Sequence, residues 1–192
     1  MDFQQLKLWL HLTRSHSIVR RYFVVNGFDG ALTMLGLITG FHLSDKTQIT
    51  VVISACLGAA VALGISGMTS AYLSESAERR KALADLEEAM VTDLSNSAHA
   101  NAARAIPFLI ALVNGAAPLL MSLVIITPLW LANAGVSLPL DPLLAAIGTA
   151  FLCIFGLGAF LGNVGGTSWL LSGIKTVAIA LATVLIISLL ES

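Results

Sequence analysis

The stretch Tyr22–Phe41 reads YFVVNGFDGALTMLGLITGF. A helix needs about 20 predominantly apolar residues to cross a bilayer, and this run has that length with one acid, Asp29, near its middle. A carboxylate at that depth costs roughly 2.5–3.5 kcal/mol on insertion scales. A chain sustains that cost where the acid faces a protein interior, a cavity or a cation. The plainer alternative is a protonated Asp hydrogen-bonded within a helix bundle.

Outward from this run, the composition is of one kind. The chain is 57% hydrophobic and 11% charged, against about 45–50% and 25% in soluble domains. Four more runs have the length and apolarity of a membrane span: Ile49–Leu73, Ile106–Leu131, Leu143–Leu161 and Trp169–Leu190. Asp29 is the only acid in any of the five. The runs are too continuous for the alternation of a membrane barrel, and helices satisfy their own backbone bonds in lipid. The fold expected is all-α, a polytopic membrane protein with five transmembrane helices.

Residues 1–21 are expected to lie on the membrane as an amphipathic helix, with Phe3, Leu6, Trp9 and Leu10 near one face and Lys7 and Arg14 near the other. They do not read as a cleavable signal peptide. Residues 22–73 hold the first two spans, 74–103 a polar connection, and 104–192 the last three spans. The connection has no Gly or Pro through Leu94, so the second span is expected to continue as a helix beyond the membrane. Lys7, Arg14, Arg20 and Arg21, then Arg79, Arg80, Lys81 and Arg104, place the N-terminus and the connection in the cytoplasm. Five spans then put the C-terminus outside a multi-pass cell membrane. Lys46 is the only basic residue of the first loop, and Lys175 is placed to snorkel.

Asn26, Asp29, Thr33, Gly36 and Gly40 recur at helical spacing and form one polar, small-residue stripe. Gly36 and Gly40 make a GxxxG pair, which lets helices approach closely. Met68, Tyr72 and Glu75 share a face of the second helix. A thioether beside a carboxylate suits a borderline divalent metal, although Met in such helices more often serves packing. Asn114, Pro118 and Ser122 share a face of the third span, and Pro118 removes one backbone donor. Thr149, Cys153, Gly156 and Asn163, and then Ser172, Thr176, Ala180 and Thr183, read as packing faces. Cys56 and Cys153 read as inert buried thiols. In the connection, Glu75 and Glu78 lie at the end of the membrane run, and Glu87 and Glu88 are possible metal-collecting residues. The competing reading is a solvated face whose acids pair with Arg79, Arg80 and Lys81.

The chain has no HExxH, CxxC, P-loop or nucleophile elbow. It is not read as an enzyme, and no cofactor is expected. It lacks the basic, aromatic-bearing surface of a nucleic-acid binder.

Three blocks carry a family resemblance: FDGALTMLGLITGF (Phe28–Phe41), ISGMTSAYLSESAERRKALADLEEAM (Ile65–Met90) and NGAAPLL (Asn114–Leu120). Together they resemble the vacuolar iron transporter family, in its compact prokaryotic branch. The resemblance implies a homodimeric carrier that exchanges Fe²⁺ or Mn²⁺ for protons. Asp29 matches the family's pathway Asp directly. Met68 matches its pathway Met with a one-residue slip, because the family commonly reads SM where this chain has SGM. The family's Gly-Glu-Tyr at the end of the second span reads Ser70-Ala71-Tyr72 here, with Glu75 one turn later as a substitute. Many members have a longer Glu-rich cytoplasmic domain, for which Glu78, Glu87 and Glu88 would be a reduced version. The sequence thus nominates Asp29, Asn26, Met68, Glu75, Glu78 and Asn114 for a metal pathway at a dimer axis. The alternative function is a non-transporting membrane assembly or regulatory protein that binds a partner through the charged helix.

Overall fold

The computed structural model describes residues 16–44 and 48–191. Most of the expected interfacial segment, residues 1–15, lies outside them, as does Lys46. The described residues form five helices: α1 (His16–Leu43), α2 (Ile49–Met90), α3 (Ala98–Asn133), α4 (Pro142–Val164) and α5 (Trp169–Glu191). Each is long and apolar enough to cross a membrane. The α1 helix runs through the expected boundary at Arg21 and Tyr22 without a break. At 1.5 Å per residue, the 42 residues of α2 extend roughly 63 Å, about twice the hydrocarbon thickness of a bilayer. The polar connection is therefore largely the far end of α2, followed by a turn over residues 91–97 and the first turns of α3.

The helix ends explain the turns. Three of them close with the same pair of backbone bonds. After α3, Val136 N–H reaches Leu131 C=O and Gly135 N–H reaches Ala132 C=O. After α4, Thr167 N–H reaches Gly162 C=O and Gly166 N–H reaches Asn163 C=O. After α2, Thr92 N–H reaches Glu87 C=O and Val91 N–H reaches Glu88 C=O. This closure places one residue in the left-handed region, usually Gly. Gly135 (φ 84°) and Gly166 (φ 68°) obey that preference, but the third position holds Val91 at φ 48°. A β-branched residue there is strained. Val91→Gly is therefore expected to stabilise the end of α2 by about 1 kcal/mol. Hydrogen exchange at the Val91 and Thr92 amides should slow, and unchanged or faster exchange would contradict the assignment.

Asp93 accepts the Ser95 N–H at 2.8 Å, and this bond holds its carboxyl below the usual Asp range. In the turn beyond α3, Asp141 caps α4, accepting from the Leu143 and Leu144 amides with Pro142 in the first turn.

The chain divides into two compact units. The larger comprises Val24–Leu63 and Ala117–Ser192. Its core is built from Ala31, Met34, Leu35 and Ile38 of α1, Val52, Cys56 and Ala60 of α2, Ile125, Ile126 and Leu129 of α3, and Ala150 and Ile154 of α4. In α1 the buried face is Gly27, Gly30, Ala31, Met34, Leu35 and Ile38, and Asp29 faces away from it. The Gly30 position touches the backbone of Pro118. The helices α4 and α5 meet where Gly158 and Gly162 face Ser172 and Thr176, and the Thr176 hydroxyl donates to Ile154 C=O at 3.1 Å. The α5 packing face thus includes the expected Ser172, Thr176 and Ala180. Of the expected α4 face, Cys153 packs against the core and Thr149 is part-buried, whereas Gly156 and Asn163 are exposed, and the buried residues include Ala150, Ile154, Gly158 and Gly162. Phe155, on the same side of α4 as Gly158 and Gly162, sits over Gly173 and packs edge-on to Trp169, 6.4 Å between ring centres. This side of α4 thus combines a bulky residue opposite a glycine with glycines opposite hydroxyls. Cys56 is buried, Cys153 is half-buried, and both are free.

The smaller unit comprises Met1–Phe23 and Gly64–Ala116. Its core is Ala71 of α2 with Ala102, Ile106, Ile110 and Ala111 of α3, flanked by Ile18, Val19 and Tyr22 of α1. Two glycines set how closely α2 and α3 approach. A Cβ at Gly115 would lie 2.5 Å from Gly64 O, and one at Gly67 would lie 3.2 Å from Asn114 O.

Outside both cores, large apolar side chains stand exposed along the helices, among them Leu152 (73%), Leu185 (63%) and Leu189 (75%). In water such faces would drive association. They are the surfaces expected of helices that meet lipid.

Candidate functional site

In the larger unit, the polar stripe of α1 lies beside the packed face. Asp29 is exposed, and Asn26, Thr33, Gly36 and Gly40 are partly exposed. Asp29 makes no hydrogen bond or ion pair among the described residues. Its neighbours Gly27 and Gly30 are fixed against Leu157 and Met121 and against Pro118. The carboxylate therefore sits on a closely packed stretch of helix. Gly36 and Gly40 line a groove of about 350 Å³ with Leu37, Phe41, Ser44 and Ile187. A Cβ on Gly36 would meet Ile187 of α5 at 3.6 Å, ordinary contact. The small-residue face is thus only loosely covered by its own unit.

In the smaller unit, Met68 and Tyr72 are exposed at 37% and 44%. Asn114 is buried, and its amide nitrogen donates to the Gly67 carbonyl. Its side chain therefore helps to join α2 and α3. Residue 118 is Pro, so the Asn114 carbonyl lacks the usual donor four residues on, and this carbonyl is the one that closely approaches Gly67.

Glu75 is buried at 5%. Its carboxylate lies 3.6 Å from Arg79 Nε and accepts a long 3.4 Å bond from the Tyr22 hydroxyl. Both contacts are at the weak end of their range, so they steady the carboxylate more than they bind it. Glu78 is exposed. The sequence anticipated the Glu75–Arg79 pair as the rival to metal binding, because four residues place two side chains on one helix face. Tyr22, 53 residues from Glu75, gave no local signal. Its aromatic character beside Arg20 and Arg21 was the only hint of an interfacial partner.

Glu87 accepts the Leu94 N–H at 3.0 Å, which pins the turn after α2, while Glu88 is exposed. His99 lines a small cavity with Arg79, Leu83 and Leu86. Among the described residues, no three His, Cys, Asp or Glu side chains gather where they could hold a metal ion. The six nominated pathway residues are thus divided between the units, with Asn26 and Asp29 in the larger and Met68, Glu75, Glu78 and Asn114 in the smaller.

No protein-family model matches the chain, and no solved structure matches it. The chain is similar to an uncharacterized protein of Methanocaldococcus jannaschii, 28% identical over 174 residues, covering 89% of this chain and 87% of that protein. The likeness therefore spans both units.

Proposed function

We propose that the chain is a divalent transition-metal transporter of the vacuolar iron transporter type, which exchanges Fe²⁺ or Mn²⁺ for protons as a homodimer. One observation carries the proposal: Asp29 lies on an apolar helix, exposed and without a partner among the described residues. Lipid does not stabilise a bare carboxylate. A second copy of the same helix, a proton or a metal cation does. Two such carboxylates near one axis would repel, and a proton or a divalent ion between them relieves the repulsion. Metal and proton then compete for one site, which gives exchange its physical basis. The thioether of Met68, which lies against Gly115 in the smaller unit, is a soft donor of the kind that favours transition metals over magnesium or calcium. The likeness of the three sequence blocks to the family supports the same reading.

By the distribution of Lys and Arg, the N-terminus and the α2–α3 turn face the cytoplasm. Glu75 and Glu78 then stand at the inner mouth, where carboxylates raise the local concentration of cations. Glu75 is buried beside Arg79 and Tyr22 whereas Glu78 is exposed, so Glu78 is the freer collector. The pair Glu75→Gln and Glu78→Gln is expected to raise the apparent KM for metal several-fold and to lower maximal flux less than a change at Asp29. An unchanged KM would remove both acids from the pathway.

The test of function is Mn²⁺ or Fe²⁺ entry into proteoliposomes, read with an internal metal-quenched dye. Flux above that of empty vesicles, with Mg²⁺ and Ca²⁺ carried poorly, is expected. Flux equal to that of empty vesicles would reject transport and leave the helical connection as a partner-binding element.

A further inference from the structure

The smaller unit contains a second feature that metal transport does not use. A cavity of about 310 Å³ opens between α2 and α3, lined by Tyr72, Ser76, Arg80, Leu83, Ala103 and Arg104. That volume falls within the range of small-ligand sites. Its charged lining is wholly cationic. Arg80 and Arg104 are exposed, and neither makes an ion pair among the described residues, where the only salt bridge joins Arg79 to Glu75. Two hydroxyls, from Tyr72 and Ser76, stand in the same lining. Ala100, in the first turn of α3, completes the wall, and the start of a helix favours negative charge. Two guanidinium forks with hydroxyl donors match the oxygens of a phosphate.

The position indicates where that phosphate comes from. Leu73, beside Tyr72, is 63% exposed, and Phe108, one turn beyond Arg104, is 65% exposed. The cavity thus lies where the apolar lengths of α2 and α3 give way to charge. Tyr and Arg at such a boundary sit at headgroup level. A soluble anion would gain nothing from the apolar surface beside the cavity, whereas acyl chains would cover it.

We propose that this cavity binds the phosphate of an anionic phospholipid headgroup, with Arg80 and Arg104 as its cationic ligands and Tyr72 and Ser76 as hydrogen-bond donors. The lipid would tie α2 to α3 at the membrane boundary. The proposal is independent of what the protein transports.

The test uses the full chain purified in a neutral detergent. Binding of dioctanoyl phosphatidylglycerol is measured by thermophoresis, with dioctanoyl phosphatidylcholine and inorganic phosphate as the other arms. The anionic lipid is expected to bind roughly tenfold or more tightly than the zwitterionic one, and the R80Q/R104Q variant to lose about tenfold or more of that affinity. The R80K/R104K variant keeps the charges without the forks and should lose less than the Gln pair. Unfolding temperatures in detergent alone should be the same for all three proteins, because both arginines are exposed. Equal lipid affinity in the wild type and the Gln variant would overturn the assignment. Inorganic phosphate displacing the lipid at equal concentration would overturn the lipid as the source of the phosphate.

Discussion

Asp29→Asn is expected to abolish metal flux while leaving a folded protein. The substitution keeps the size and shape of the side chain and removes the only formal negative charge within the five apolar spans. Because Asp29 is exposed and bonds to nothing among the described residues, no fold-holding contact is lost. An amide in lipid costs less than a carboxylate, so stability should hold or rise slightly. The measurement pairs flux with an unfolding curve on the same preparation. Near wild-type flux from a well-folded Asp29→Asn protein would remove Asp29 from the mechanism. Lost flux together with lost folding would mean that the residue is structural after all.

The second large effect concerns packing one residue away. A Cβ at Gly30 would lie 2.6 Å from Pro118 Cα and 2.8 Å from Pro118 O. Both are backbone atoms, so no flexible side chain can yield. Gly30→Ala is expected to cost about 1–3 kcal/mol through overpacking. At this chain length that lowers the unfolding temperature by roughly 5 °C. Gly156→Ala is the control, since nothing lies within 4 Å of its Cβ position. There the change should be neutral or slightly stabilising, as Ala is the better helix former. A Gly30→Ala protein as stable as the Gly156→Ala one would refute the close approach of α1 to Pro118.

Much of the architecture was legible in the sequence because apolar length is a strong signal. All five spans correspond to helices, with differences at their ends. The continuation of the second span as a helix was legible for the same reason, since nothing from Ser74 to Met90 breaks it. The faces were harder to read. In α4 both the Gly156 face and the Gly158 face are small enough to pack, and spacing alone does not choose between them. The choice shows only in the partners on α5, where Gly158, Gly162 and Phe155 meet Thr176, Ser172 and Gly173. The left-handed residue at Val91 was not legible at all, because the position carries a β-branched side chain where Gly is the usual signal.

The candidate site was legible in part. Asp29 was conspicuous as the lone acid in an apolar run, but spacing alone did not say whether its stripe faced inward or outward. Its exposure follows from the neighbouring glycines, which turn the other face of α1 toward Pro118 and Leu157. Glu75 read as a metal donor from the face it shares with Met68 and from the family resemblance, and Glu87 from the charged connection and that resemblance. Their contacts with Arg79 and Tyr22, and with the Leu94 amide, give each a local structural partner.

The most direct test of the central claim is to count metal and protons in the same vesicles. Proteoliposomes carrying the full chain are loaded with a pH-sensitive dye, and Mn²⁺ is added outside without a pH gradient. If Asp29 binds metal and proton in turn, Mn²⁺ entry will be accompanied by alkalinisation of the lumen, and both signals will be absent with Asp29→Asn. Mn²⁺ entry with no change in luminal pH, or equal signals from both proteins, would contradict the account.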